Sequence, residues 1–252
     1  MQSLHKLYST THGQRLVSGS VLALLCYILT TYWVSYLLPS VYMMAFVTAY
    51  EWIGLVKGSE KIVPWVKYTY SSAIVSLLLL PVEFYSTNTN AIILVVLLMS
   101  IHMLLYRNFF WSAGAVLHLI AWQYSLWLIQ NDINSLSYVV SMTALADIMG
   151  YYVGKKAITK QRPWPWLSPK KTYEGTLAMV ITPSIISLVI PGRKASLSMF
   201  IGVFALLGDL LVSYAKRLVH RKDTGSIIPA HGGVLDRIDS HLMVLAAIAF
   251  SG

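Results

Sequence analysis

Apolar stretches of roughly twenty residues, the length a helix needs to cross a bilayer core, recur along this chain from one end to the other. In hydrocarbon every backbone N–H and C=O must be paired within its own segment, and these runs lack the period-two alternation of a membrane barrel. The fold class that follows is all-α, a polytopic transmembrane helical bundle. The runs fall at 15–33, 35–56, 66–85, 90–106, 110–130, 135–154, 175–191, 196–215 and 240–252, which predicts eight or nine helices, the last with only thirteen residues. Composition agrees, with 56% of the 252 residues apolar and 12% charged, about half the charged fraction of a soluble domain. The first run reads as a true span rather than a cleaved leader. No internal repeat supports a transporter built from duplicated halves. Cys26 is the single cysteine, which excludes a disulfide or a thiolate metal cluster.

The net charge of +9 is mostly a statement about orientation. With the N-terminus on the cytoplasmic side and the spans alternating, seventeen of the nineteen basic residues face the cytoplasm, leaving Arg193 and Lys194 outside. That is the bias expected of inner-membrane proteins, and the rest of its effect is attraction to anionic lipid rather than to nucleic acid. A bacterial-type inner membrane is the expected location. Chemistry is distributed unevenly. Residues 1–134 form an N-terminal set of about five spans whose few ionisable groups, chiefly Glu51, Glu83, His102 and His118, suit helix-end or interhelical hydrogen bonds, with Glu51 the deepest. Residues 135–252 form the region expected to be catalytic, with polar loops at 155–175 and 216–239.

The first polar stretch runs "ADIMGYYVGKK" and then "RPWPWLSPKKTYEG". Asp147 lies well inside a span, where a charge is costly and marks a functional site by default. Tyr151 and Gly154 follow it at i+4 and i+7, on the same helix face. Ser168-Pro169 favours a turn, and Thr172, Glu174 and Gly175 read as a helix start. Lys170 and Lys171 between them can neutralise phosphates as point charges. The Trp pair of "RPWPWL" suits an interfacial anchor.

The second stretch is denser. Asp209, Ser213 and Lys216 stand at i, i+4 and i+7, and an Asp209–Lys216 ion pair would have to reach two turns. Beyond them, Asp236 and Asp239 are three residues apart with Arg237 between. Carboxylates on rigid elements beside clustered bases are what a divalent cation and a polyphosphate need. The glycines of "HGG" offer backbone that can approach a phosphate closely.

The passage "SYAKRLVHRKDTGSIIPAHGGVLDRID", residues 213–239, resembles the signature of the phosphatidate cytidylyltransferases, the CDP-diacylglycerol synthases. Lys216-Arg217, Lys222-Asp223, His231-Gly232-Gly233 and Asp236-Arg237-x-Asp239 keep its spacing. "SPKKTYEG" at 168–175 and "ADIMGYYVGKK" at 146–156 are similar to two further motifs, so the likeness covers about 95 residues in three blocks. Ala230, Ala215 and Tyr173 depart from the usual residues, none at a charged position. The resemblance implies an enzyme of the membrane's cytoplasmic face that joins CTP to phosphatidic acid with Mg²⁺, a second cation being compatible. It implies Asp209, Lys216 and Asp236 as catalytic residues, with Asp209 and Asp236 on the metal. Lys170, Lys171, Lys216, Arg217 and Lys222 would cradle phosphates, and His231, Gly232 and Gly233 would form a phosphate loop braced by Arg237 and Asp239. Asp147, Ser168, Glu174, Ser213 and Asp223 complete the expected substrate site. A homodimer is carried as an expectation, since small polytopic enzymes often pair. Two rivals stand beside this reading: a CTP-dependent lipid kinase, and a cation-coupled transporter using Asp147 and Asp209.

Overall fold

The computed structural model describes residues 34–56, 71–72, 109–159, 161–190, 195–228 and 232–251. Among them the helices are α1 (Val34–Leu55), α2 (Phe109–Asn131), α3 (Ile133–Lys155), α4 (Tyr173–Ser187), α5 (Ala195–Leu218) and α6 (Leu235–Ser251). Three stretches are long and apolar enough to cross a membrane: Phe109–Asn131, Ile133–Lys155 and Leu197–Leu218. The described part is therefore the all-helical membrane protein that the apolar runs foretell. The expected spans at 15–33 and 90–106, and nearly all of 66–85, lie outside the described residues.

Local chemistry sets the helix ends. Asp132 alone joins α2 to α3, and its carboxylate caps α3 by accepting from Ser135 N at 3.1 Å. Thr172 caps α4 in the same way, its hydroxyl accepting from Gly175 N at 3.2 Å, so α4 starts where "KKTYEG" predicts a helix start. Helix α5 ends with Arg221 N bonded to Lys216 O at 2.9 Å and His220 N to Arg217 O at 3.1 Å. His220, at φ 56°, occupies the left-handed position that closes such an end. The loop that follows is tied to α1, Arg221 donating to Gly54 O at 2.9 Å. Helix α6 differs from expectation. The apolar run puts its start at 240, yet it begins at Leu235 and spans seventeen residues, because its first turn is polar and is held by carboxylates described below.

The core lies between α1, α2, α5 and α6, around Trp52, Trp111, Ala121, Trp122, Ala205, Val212 and Val244. Buried polar groups tie helices together, α1 to α2 and α3 to α5: Trp122 Nε1 donates to Thr48 Oγ1 at 3.1 Å, Trp52 Nε1 to Trp111 O at 3.1 Å, and Tyr138 and Ser198 share a 2.6 Å bond. With no hydrophobic drive between helices in lipid, such bonds and close packing of small residues hold a bundle. Helices α3 and α4 approach backbone to backbone. A Cβ at Gly175 would stand 2.6 Å from Gly150 O and 2.8 Å from Gly154 Cα. Gly150 and Gly154 thus form a flat face on α3 against which α4 rests, and with Gly175 they line the cleft there.

Gly175→Ala should therefore lower the melting temperature of the detergent-purified protein, an overpacking cost of about 1–3 kcal/mol. Gly54→Ala is the control: a Cβ there meets nothing within 4 Å, and the change should be neutral or stabilising by about 0.4–1 kcal/mol through the unfolded chain. Thermal unfolding followed by tryptophan fluorescence measures both, and equal effects would rule out the steric account.

Candidate active site

The ends of α3, α4, α5 and α6 enclose a cavity of about 500 Å³, a size that suits a small charged ligand. Four acids and five bases line it: Asp147, Asp209, Asp236 and Asp239 against Lys155, Lys170, Lys171, Lys216 and Arg237. The face of α3 that carries Asp147, Tyr151 and Gly154 does line it, as the spacing predicts.

Cross-element ion pairs organise this charge. Lys171, in the loop before α4, pairs with Asp209 of α5. Lys216, a further two turns along α5, pairs with Asp236 of α6 at 2.6 Å. The sequence-spaced alternative, Asp209 with Lys216, is not formed; two turns of helix separate them, while other elements bring nearer partners. Ser213 donates to Asp209 Oδ1 at 3.3 Å, and Ser240 to Asp147 Oδ1 at 3.1 Å. Asp147, Asp209 and Asp239 lie close enough to repel one another. Among the described residues, Lys155 and Lys170 make no ion pair.

Asp236 is the most heavily bonded acid. Beyond Lys216 on Oδ1, its Oδ2 accepts from Thr224 N at 2.7 Å, from the Thr224 hydroxyl at 2.9 Å and from Gly233 N at 3.0 Å. Asp236 sits in the first turn of α6, ahead of the apolar stretch. Burial acts to raise its pKa, but the Lys216 ammonium and the Thr224 and Gly233 N–H groups outweigh it and hold the carboxyl below the usual range.

Behind Asp236 lies Glu51, from the N-terminal half of the chain and 3% exposed. Its Oε1 accepts from Val234 N at 3.0 Å and its Oε2 from Leu235 N at 2.8 Å, which are the first N–H groups of α6. The Thr224 hydroxyl lies 3.0 Å from Glu51 Oε2 as well; with one proton it serves Glu51 or Asp236 at a time. Glycine is required here: a Cβ at Gly233 would be 2.5 Å from Glu51 Oε2, and one at Gly225 2.6 Å from Oε1. Gly232, at φ +85°, would set a Cβ 2.9 Å from Asp236 Oδ2.

Several expected site residues stand elsewhere. Gly232 and Gly233 do not line the cavity but pack on Asp236 and Glu51, and His231 lies outside the described residues. Arg217 donates to Leu167 O at 3.2 Å and to Arg221 O at 3.2 Å, fastening the 161–171 loop to α5. Ser168 caps the turn that ends at Lys171, its carbonyl accepting from Lys171 N at 3.2 Å. Glu174 accepts from Thr159 N at 3.2 Å, and the Thr159 hydroxyl holds its carboxyl below the usual range. Ser213 reaches the site only through Asp209. Lys222 and Asp223 are exposed on the loop after α5. Residues that the motif reading passed over are Lys155, Thr224 and Ser240, together with Glu51, whose interhelical bond was foreseen but not its tie to the site. Lys155 sits in the quoted "GKK" and was within reach; Thr224 and Ser240 meet their carboxylates between elements distant in sequence, which no local spacing announces.

The site has oxygen donors for a hard cation. Among the described residues no three of His, Cys, Asp and Glu converge as a ready-made metal cage. Magnesium, however, is commonly held by one or two carboxylates plus waters and substrate phosphates. Asp209, with a single serine bond on Oδ1, and the neighbouring Asp147 and Asp239 fit that demand. Asp236 keeps lone-pair capacity only on Oδ1, beside Lys216.

The Cytidylyltransferase family model matches residues 13–251. The phosphatidate cytidylyltransferase of Bacillus subtilis (strain 168) is 35% identical over 130 residues, 48% of this chain and 48% of that protein. That of Helicobacter pylori (strain ATCC 700392 / 26695) is 35% identical over 128 residues, 47% of this chain and 48% of the relative. The uncharacterized protein YnbB of Escherichia coli (strain K12) is 33% identical over 156 residues, 56% of this chain and 51% of YnbB. The matched stretch thus spans about half the length of these curated relatives.

Two measurements test the geometry. Glu51→Ala strands the Val234 and Leu235 N–H groups, at a cost of about 1–3 kcal/mol for each buried donor left unmet, and should lower the melting temperature far more than Thr224→Val does. Lys216→Met should move acid unfolding to higher pH. The Asp236 carboxyl, depressed in the folded state, stabilises above its unfolded pKa, about 4, and that stability is lost as pH falls through the lower folded value. Without Lys216 the folded value rises, so the loss begins sooner; a pH titration of tryptophan fluorescence showing no displacement would remove Lys216 from this role.

Proposed function

The chain belongs to the cytidylyltransferase family, and from that membership we propose that it transfers the cytidylyl group of CTP to phosphatidic acid, giving CDP-diacylglycerol and pyrophosphate for phospholipid synthesis. The substrate class is taken from the Bacillus and Helicobacter relatives named as phosphatidate cytidylyltransferases. The observation that carries the reading is the cavity itself, where carboxylates and lysines from four helix ends face one another. Both reactants are anions, so the work of the site is charge neutralisation and alignment.

A lipid phosphate oxygen attacks the α-phosphorus in line; the new P–O bond forms as the bond to pyrophosphate breaks, its electron pair leaving with pyrophosphate. A phosphate monoester is already a competent nucleophile, and no general base is needed. Lys155, Lys170 and Arg237 receive phosphate oxygens at the cavity wall. Lys171 and Lys216 are held in place by Asp209 and Asp236, so their charge is fixed before substrate arrives. Asp209 and Asp236, with Asp147 and Asp239 beside them, are the residues that would hold Mg²⁺, which when bound neutralises phosphate oxygens. Ser168, Glu174, Arg217, Lys222, Asp223 and the glycine pair shape or flank the site from the surrounding loops.

In the full protein, residues 1–134 add the scaffold spans that complete a bundle of eight or nine helices. The basic loops face the cytoplasm, phosphatidic acid enters sideways from the leaflet, and two copies pair.

The assay uses detergent-purified protein, phosphatidic acid, and CTP labelled at the α-phosphorus, with Mg²⁺ or EDTA. Label should enter chloroform-soluble lipid only with Mg²⁺, and Asp209→Asn should reduce the rate by at least about tenfold. Unlabelled lipid from well-folded protein refutes the proposal, and lipid labelled from γ-labelled CTP in its place would make the protein a lipid kinase.

A further inference from the structure

Beneath the cavity just described, a second and much smaller one of about 20 Å³ is lined by Gly114, Leu117, His118, Gly208, Leu211, Val212, Leu235, Asp239, Leu242 and Met243. Only His118 and Asp239 bring polar side chains to it, and Asp239 lines both cavities. His118 belongs to α2, far from every motif in the sequence, and is 5% exposed. Its Nδ1 lies 2.7 Å from Gly114 O. A carbonyl oxygen only accepts, so Nδ1 carries the proton and Nε2 is an acceptor. Nε2 has no hydrogen-bond partner in the protein. A buried acceptor without a donor is costly, and the ring is otherwise held against Trp52, tilted to it with centroids 5.1 Å apart.

We infer that this cavity is the seat of one bound water, joining His118 Nε2 to the Asp239 carboxyl, and that His118 is a positioning residue for the acidic side of the active site. The volume passes the roughly 10–15 Å³ that a water requires, and two polar partners meet its minimum. Water suits the pair in chemical terms. It donates one proton to Nε2, and it can donate to an ionised Asp239 or accept from a protonated one. Asp239 has one other hydrogen bond, from Ser240 N at 2.9 Å. A second anchor fixes the rotation of its carboxyl against Asp209 and Asp147, with which it interacts electrostatically. Supporting partners of this kind orient the groups that meet substrate, and their loss costs about 10–100-fold in activity or metal affinity.

The kinetic test rests on the cytidylyl-transfer reading and compares His118→Asn with His118→Gln in the full chain. The asparagine amide reaches Gly114 O but not the small cavity; the glutamine amide reaches the position of Nε2. Expected for His118→Asn are a kcat about tenfold lower, a raised Mg²⁺ requirement, an unchanged KM for CTP and a melting temperature close to that of the native chain. His118→Gln should recover most of the rate. Native kcat in His118→Asn, or equal losses in both variants that track melting temperature, overturns the inference. A second measurement needs no activity and no folded His118 variant: in protein labelled with nitrogen-15 at histidine, the His118 Nε2 resonance should report an unprotonated acceptor and should shift in Asp239→Asn. An Nε2 signal that does not respond to Asp239 also overturns the link. A native chain that makes no CDP-lipid refutes the functional reading alone, since the nitrogen-15 measurement still decides this one.

Discussion

The site depends on one buried knot. Glu51 of α1 and Asp236 of α6 share the Thr224 hydroxyl, and between them they accept the backbone N–H groups of Thr224, Gly233, Val234 and Leu235. Four N–H groups of a turn and a helix start would otherwise be buried without partners, at a cost that hydrophobic packing does not offset. Two carboxylates at the head of α6 also complement its dipole. Because Asp236 is fixed from behind, its remaining oxygen can hold Lys216, and Lys216 then faces the cavity in one place rather than many.

Lys171 repeats the device on the opposite wall. Paired with Asp209, it ties the loop before α4 to α5, while Arg217 fastens the same loop by donating to Leu167 O. Both pairs are partly exposed or backed by further hydrogen bonds, so their value is less in net stability than in holding charge at defined points. The glycine face of α3 contributes the third constraint. With Gly175 seated against Gly150 and Gly154, α3 and α4 meet backbone to backbone at the cavity wall.

Much of this was legible in the sequence, and the gaps have physical causes. Helices could be read from apolar length, because in hydrocarbon there is no other way to pair the backbone; α2, α3 and α5 fall within a few residues of the runs. Asp147 and Tyr151 could be placed on one face from periodicity alone. Ion pairing could not. Asp209 and Lys216 share a helix face, but a pair is decided by what other elements bring close, and periodicity says nothing of that. The glycines of "HGG" announce a close approach without saying to what; the neighbours turn out to be carboxylates of the protein. Glu51 is the hardest case, since its partners at Val234 and Leu235 are N–H groups and backbone carries no residue code.

The hydroxyls of the cavity bear on the type of transfer the site can support. The Ser240 hydroxyl is donated to Asp147, that of Thr176 to Thr172 O at 2.9 Å, and the Thr172 oxygen accepts Gly175 N to cap α4. Ser240 thus has a carboxylate as its partner, and the two threonines hold the start of α4. Direct attack by a substrate already bearing negative charge requires only fixed cations and carboxylates. That is the apparatus the ion pairs and the knot at Glu51 supply, and it explains why the charge of a chain built for hydrocarbon is concentrated at the ends of a few helices.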